Sequence, residues 1–160
     1  RDDLYEVAGV RGGKARTCWA LAQGARGLVT ASSRHSPQLN IVAQIARRLG
    51  IPARCHVPKG ADTPEMVAAR EAGADIVGWA AGYNSVIVAR AREDFAHRPG
   101  WALVPFGMEC AAAVEATKEQ VRNLPEGVSR VVVIGSNGWT RGVATWRRCR
   151  TMRRCSANCG

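Results

Sequence analysis

The sequence lacks any long hydrophobic run. Its most apolar stretch, residues 131–134, has four residues, whereas a helix that spans a membrane needs roughly 18. The first residues also lack the basic segment and apolar core of a secretory signal peptide. Because the chain does not begin with Met, we expect its natural start to lie upstream. With 46% hydrophobic and 22% charged residues, the composition predicts a folded, non-membrane, cytoplasmic protein.

Metal-binding spacings of cysteine and histidine are also missing. Cys149, Cys155 and Cys159 are crowded near the end of the chain, but no histidine stands near them and their spacing matches none of the usual zinc patterns. We therefore predict no metal site. The other three cysteines stand singly in apolar surroundings, which is typical of reduced, packed thiols in a cytosolic protein: Cys18, Cys55 and Cys110.

Acidic residues are absent from residues 141–160, which contain six arginines and neither Leu nor Ile. Residues 1–140 carry 17 basic and 13 acidic side chains, so most of the net charge of +10 belongs to the last 20 residues. The change in composition predicts a boundary at residue 140. We interpret residues 141–160 as a disordered, out-of-frame or truncated end. The alternative is a genuine basic arm that binds the phosphates of nucleic acid, with a steep salt dependence.

Short β-like runs alternate with longer helical patterns over residues 27–134. Gly50 is a typical helix end, and Thr63 followed by Pro64 is a typical helix start. The pattern predicts strands over 27–31, 53–57, 74–79, 101–104 and 129–134, and helices over 38–49, 63–72, 84–97 and 110–122. Strands separated by single helices give right-handed crossovers. We therefore predict an α/β fold of three layers with a mainly parallel sheet.

Two finer expectations concern individual side chains. The apolar spacing of the helix over 84–97 predicts that Val86, Ile87, Ala89 and Phe95 face the core. His56 has no acidic neighbour in the sequence, so we expect it at the surface of its strand.

The first candidate for chemistry is the segment around Lys14. Gly12 and Gly13 allow a tight turn and the close approach of a ligand, and Lys14 then stands at the start of a predicted helix. A helix N-terminus and the neighbouring Arg11 and Arg16 favour the neutral amine that Schiff-base chemistry requires. The spacing is not that of a Walker phosphate loop. The alternative is a surface lysine that follows a turn.

Two further segments follow predicted strands. Residues 30–38 end a strand, continue as a serine-rich loop and begin a helix, so their amides and hydroxyls suit a carboxylate. Capping of that helix by Ser36, with Pro37 at the first helical position, accounts for those two residues alone. Residues 135–140, Gly-Ser-Asn-Gly-Trp-Thr, have the composition of a phosphate-binding loop. These segments and residues 106–109 follow strand ends, where ligands of open α/β sheets bind.

Together these segments resemble the fold-type-II pyridoxal-phosphate enzymes of the tryptophan synthase β-like superfamily. The start of the chain, RDDL followed by GGKAR at residues 12–16, is similar to the RDDL…GGKxR opening of the 1-aminocyclopropane-1-carboxylate deaminase and D-cysteine desulfhydrase group. Residues 28–43 are similar to that group's LVTAGGxQSNxxRxxA segment, and residues 135–140 to its phosphate loop. The resemblance covers about residues 1–140, roughly the first half of such an enzyme including its small domain.

The resemblance implies a cofactor and a role for each matching residue. Lys14 would form a Schiff base with pyridoxal 5'-phosphate and move the substrate α-proton. Ser33, Ser36 and Gln38 would bind the substrate, with Ser36 near the reacting carbon. The cofactor phosphate would be held by the loop residues Gly135, Ser136, Asn137, Gly138 and Thr140. The implied activity is that of a lyase or deaminase acting on a small amino acid, homodimeric at full length.

Two departures from this group keep other hypotheses open. Pro37 stands where these enzymes have an asparagine that contacts the cofactor ring, and the second half of such an enzyme is missing from this chain. The chain could therefore be a catalytically inactive remnant with at most weak binding of a phosphate-bearing ligand. Nucleic-acid binding through residues 141–160 is a third hypothesis. No membrane partner is expected.

Overall fold

The computed structural model describes residues 4–80 and 83–118, and those up to Ala116 form one compact unit. The strands are β1 (Glu6–Val7), β2 (Val10–Arg11), β3 (Leu28–Ala31), β4 (Ala53–Pro58), β5 (Asp75–Trp79) and β6 (Ala102–Val104). The helices are α1 (Gly13–Ala22), α2 (Gln38–Leu49), α3 (Pro64–Glu71), α4 (Asn84–Ala96) and α5 (Ala111–Lys118), with a 3₁₀ turn at Phe106–Met108. No described helix is long and apolar enough to cross a membrane.

Four of the strands form a parallel sheet in the order β5-β4-β3-β6. Leu28 lies opposite Ala53 of β4 on one side and Ala102 of β6 on the other. The chain adds β4 and β5 on one side of β3 and then returns to place β6 on the other side. The strand order therefore reverses between β3 and β6, and in open α/β sheets ligands bind outside the carboxyl ends of the strands at such a point.

Helices cover both faces of this sheet. On one face α1, α2 and α3 pack side by side, and their core includes Leu39, Ile45 and Leu28, each with no exposed surface. On the other face α4 packs against β3 and β4, with Ile87 and Ala91 in contact with Val29 and Ala31. The predicted α/β fold of three layers with a mainly parallel sheet is confirmed.

The ends of the helices follow from local chemistry. The hydroxyl of Thr63 accepts a hydrogen bond from the Met66 amide, and Pro64 occupies the first position of α3. Gly50 ends α2 with φ 68°, a left-handed conformation that glycine adopts without strain. These signals explain why the predicted ends of both helices fall within one or two residues of the observed ones. The predicted strand over 129–134 and the boundary at residue 140 lie outside the described residues.

Some expectations for individual residues are wrong. Val86 and Ala89 of α4 are exposed, while Ile87 and Ala91 are buried and Phe95 is partly buried. His56 is buried, with 1% of its surface exposed. Its partners come from other elements, because the folded chain brings Asp94 of α4 and Trp79 of β5 to it.

These three residues belong to a partly buried polar network between the sheet and α4. The indole N–H of Trp79 can only donate, so His56 Nδ1 accepts from it at 2.9 Å. His56 Nε2 therefore carries the ring hydrogen and donates to Asp94 Oδ2 at 3.0 Å. Arg54 and Arg98 also donate to the Asp94 carboxylate, at 2.8 and 3.0 Å, and Arg54 pairs in addition with Asp75. The network holds a neutral histidine and joins β4, β5 and α4.

We expect the free energy of unfolding to fall as the pH is lowered below 6.5. Burial lowers the pKa of His56 from its ordinary value of 6.5, although the hydrogen bond to Asp94 opposes this shift. The unfolded chain therefore takes up a proton at a higher pH than the folded one, and acid favours unfolding over that interval. Urea unfolding followed between about pH 5 and 8 measures this slope. His56→Gln keeps a donor and an acceptor but does not titrate, so an equal slope in that variant would contradict the prediction.

Candidate functional site

The predicted lysine lies at the N-terminus of α1. The amide of Gly12 donates to the Tyr5 carbonyl at 2.9 Å, which fixes the turn against the preceding chain. Gly12 has φ 96°, and a side-chain carbon there would meet no atom within 4 Å. Lys14 itself is exposed and makes no hydrogen bond or ion pair with another described residue. The backbone before Lys14 is therefore open to the approach of a ligand.

The neighbouring cations are held by other groups. Arg11 Nε donates to a carboxylate oxygen of Glu6 at 2.6 Å, and the guanidinium of Arg16 lies 4.5 Å from the centre of the Tyr5 ring. Both contacts belong to the hairpin of β1 and β2 and its packing on α1. The hairpin thus packs against α1.

The N-terminus of α1 lies at the carboxyl edge of the sheet. At the opposite edge, where β3 and β6 begin, the Arg26 amide donates to the Gly100 carbonyl at 2.8 Å. The C-terminal end of α1 lies near that edge, because β3 begins six residues after α1 ends. The helix has 10 residues and is about 15 Å long. It packs against the Phe106–Met108 turn that follows β6, so its N-terminus lies at the carboxyl edge. Because α2 follows β3 directly, its N-terminus lies at the same edge. The structure therefore brings Lys14 and residues 32–38 to one edge of the sheet.

The loop between β3 and α2 offers backbone donors. The hydroxyl of Ser36 accepts from the Gln38 amide at 3.3 Å, so Ser36 does cap the helix. Its amide donates to the Ser33 carbonyl at 3.1 Å. Within the described residues, the amides of Ser33, Arg34 and His35 have no hydrogen-bond partner. Three unpartnered N–H groups in one loop can bind an anion such as a carboxylate.

Gln38 occupies a different position from Ser33 and Ser36, since its side chain is completely buried. Its amide nitrogen donates to the Thr30 hydroxyl at 2.8 Å and to the Pro105 carbonyl at 2.9 Å. The Thr30 hydroxyl donates in turn to the Val104 carbonyl. Gln38 thus joins the carboxyl ends of β3 and β6 at the point where the strand order reverses.

A groove of about 350 Å³ opens beside the carboxyl ends of β3 and β6, on the face covered by α4. Phe106 and Glu109 lie in its wall, in the segment 106–109 that the sequence places after a strand. Its floor is apolar and includes Ala31, Val88 and Leu103. The described residues contain no group of His, Cys, Asp and Glu side chains arranged for a metal ion. The predicted phosphate loop, residues 135–140, lies outside the part of the chain that the structure describes.

Comparison with known proteins shows the fold. No protein-family model and no curated protein matches the chain. An ACC deaminase homologue has a TM-score of 0.70 and 21% identity, over 90% of this chain and 48% of that one. A threonine deaminase from T.th. has a TM-score of 0.57 and 22% identity, over 83% and 44%. Diaminopropionate ammonia lyase of Escherichia coli in apo form gives 0.52 and 17%, over 83% and 45%.

These TM-scores show a shared fold. The architecture predicted from the motifs, that of the fold-type-II pyridoxal-phosphate enzymes, is confirmed. The chain spans about half the length of the solved structures that it matches. The roles of individual site residues stay predictions.

Proposed function

We propose that this chain is part of a pyridoxal-phosphate-dependent lyase or deaminase that acts on a small amino acid. The observation that carries the proposal is that Lys14 and the serine-rich loop lie at the same edge of the sheet, where its strands end. The solved structures of similar fold are named as deaminases and ammonia lyases, which supports the same kind of chemistry here.

The described residues fit the cofactor. An exposed Lys14 follows a turn in which a side-chain carbon on Gly12 would meet no atom within 4 Å. The unpartnered amides of residues 33–35 suit a carboxylate of the substrate. Residues 135–140 would hold the cofactor phosphate. When bound, pyridoxal phosphate withdraws electrons from the α-carbon of the substrate and so stabilises the carbanion left when a proton is removed.

Each side chain then has a definite task. Lys14 would supply the amine that holds the cofactor, and its Nζ would be the base that takes the α-proton. Ser33, together with the amides of its loop, orients the substrate carboxylate. The hydroxyl of Ser36 accepts from the Gln38 amide, and its own hydrogen would be available for a hydrogen bond to the substrate near the reacting carbon. Gln38 is buried below this loop, and its side chain donates hydrogen bonds to the Pro105 carbonyl and the Thr30 hydroxyl.

The proposal predicts selective labelling of Lys14. The chain is incubated with pyridoxal phosphate, reduced with borohydride and digested, and the modified lysine is identified by mass spectrometry. The sequence has three lysines, Lys14, Lys59 and Lys118, so each adduct can be assigned. We expect about tenfold more adduct at Lys14 than at Lys59, a preference of about 1.4 kcal/mol.

The matched variants are Lys14→Arg and Lys59→Arg, because both lysines are exposed and both changes keep the charge. Lys14→Arg should abolish the selective adduct, whereas Lys59→Arg should leave it unchanged. Equal, slow labelling of all three lysines would contradict the proposal and would favour an inactive remnant.

A further inference from the structure

Arg34, in the loop between β3 and α2, is a basic side chain to which the proposed function gives no task. Its guanidinium packs against the backbone of Gly60, where a side-chain carbon would come within 2.3 Å of it. Arg34 Nη1 donates to the Ala61 carbonyl at 2.7 Å. The backbone carbonyl of Arg34 accepts from the Thr63 hydroxyl. Both ends of the residue are therefore tied to the loop that follows β4, and the guanidinium is held in one place.

The charge of Arg34 is not balanced by a carboxylate among the described residues. Asp62, two residues beyond Gly60, is already bound by both terminal nitrogens of Arg70, at 2.5 and 3.0 Å. One of the five N–H donors of Arg34 reaches Ala61. The other donors of a planar guanidinium can bind a carboxylate through two parallel hydrogen bonds.

Lys14 and Arg34 place two positive charges at this edge of the sheet, and neither has a carboxylate partner among the described residues. Both belong to residues 7–61, a segment with no acidic side chain. A concentration of one charge sign raises the local concentration of oppositely charged ligands. An anion with two charges gains more from such a field than an anion with one.

We propose that Arg34 determines substrate class by binding a second carboxylate, so that the substrate is an amino acid with an anionic side chain. The inference rests on the proposed function. The α-carboxylate of the substrate lies on the amides of residues 33–35, and its side-chain carboxylate lies on the guanidinium of Arg34. Gly60 is part of this arrangement, because any larger residue would displace the guanidinium.

The test measures binding of three small anions to the full chain: acetate, succinate and inorganic phosphate. Amide chemical shifts of residues 33–35 are followed by NMR during each titration. We expect succinate to bind about tenfold more tightly than acetate, because Arg34 is partly buried and fixed by its contacts, and a hydrogen bond to a charged group then contributes about that factor. Binding of phosphate as tight as that of succinate would overturn the dicarboxylate assignment in favour of a phosphate site.

Variants separate the charge of Arg34 from its structural contact. Arg34→Ala and Arg34→Gln should both reduce the preference for succinate to about twofold or less, while acetate binding stays unchanged. Arg34→Gln keeps a donor for the Ala61 carbonyl, so its loop stays tied. Arg47→Ala removes the same charge from the last turn of α2, at the other edge of the sheet, and should keep the preference.

Two outcomes would overturn the inference: a preference for succinate that survives in Arg34→Gln, or the absence of shift changes at residues 33–35 with either carboxylate. Neither depends on the cofactor. If Lys14 is labelled selectively while these titrations fail, the proposed function stands without this substrate class. If the titrations succeed and the labelling fails, the loop binds dicarboxylates but the cofactor chemistry is wrong.

Discussion

Asp94→Ala is expected to lower the free energy of unfolding by about 3 kcal/mol. Three donors converge on this carboxylate, from His56, Arg54 and Arg98, at distances between 2.8 and 3.0 Å. Its side chain is 19% exposed and that of His56 is 1% exposed, so water replaces little of what is lost. Removal of the carboxylate leaves His56 with an unsatisfied N–H and leaves two guanidinium groups without their shared partner. Chemical denaturation of both proteins at neutral pH measures the difference.

A matched control is Asp62→Ala. Asp62 also pairs with an arginine through two hydrogen bonds, but both side chains of that pair are about half exposed. Exposed ion pairs contribute little because solvent screens them, so this variant should unfold at nearly the denaturant concentration of the parent. Equal losses in the two variants would show that the burial of the network around Asp94 adds nothing.

The second large effect is expected from Gly27→Ala, which should cost about 2 kcal/mol. A side-chain carbon on Gly27 would lie 2.5 Å from two atoms of the Trp101 indole. The Arg98 guanidinium lies 4.7 Å from the centre of the same ring. A shift of the indole would therefore disturb Arg98, which donates a hydrogen bond to Asp94. Gly78→Ala is the control, because its nearest neighbour is the flexible side chain of Lys59 at 3.1 Å.

The clash with the indole gives a direct check on this mechanism. In a Trp101→Val background the Gly27→Ala change should cost little, and the difference between the two backgrounds measures the coupling of the two residues. Thermal or urea unfolding of the four proteins supplies the data. A loss that is the same with and without the indole would contradict the steric explanation.

The order and type of the helices and strands from β3 onward could be predicted because the sequence signals that define them are local. Thr63 and Pro64 begin a helix through contacts within four residues, and Gly50 ends one through its own backbone. The hairpin of β1 and β2 was not predicted because strands of two residues show no periodicity. Its signal was the turn at Ala8 and Gly9, which both have positive φ, as a tight hairpin turn requires.

The candidate site, too, could be predicted from the sequence only in part. The positions of Lys14 and Ser36 at helix starts could be predicted, since glycine turns and capping residues mark them in the sequence. Outside the site, the burial of His56 could not be predicted, because its partners Asp94 and Trp79 are 38 and 23 residues away. The contact of Arg34 with Gly60 also could not be predicted from the sequence, because it joins two loops that follow different strands. Only the register of β3 against β4 brings them together.

The two buried thiols have a further consequence. Burial raises the pKa of both Cys18 and Cys55 to about 12, so at neutral pH about one in 10⁵ of either is a thiolate. Oxidants and alkylating reagents attack the thiolate. While the domain stays folded, both thiols should therefore react slowly with alkylating reagents and oxidants. Rapid labelling of either cysteine would then report that the domain has opened.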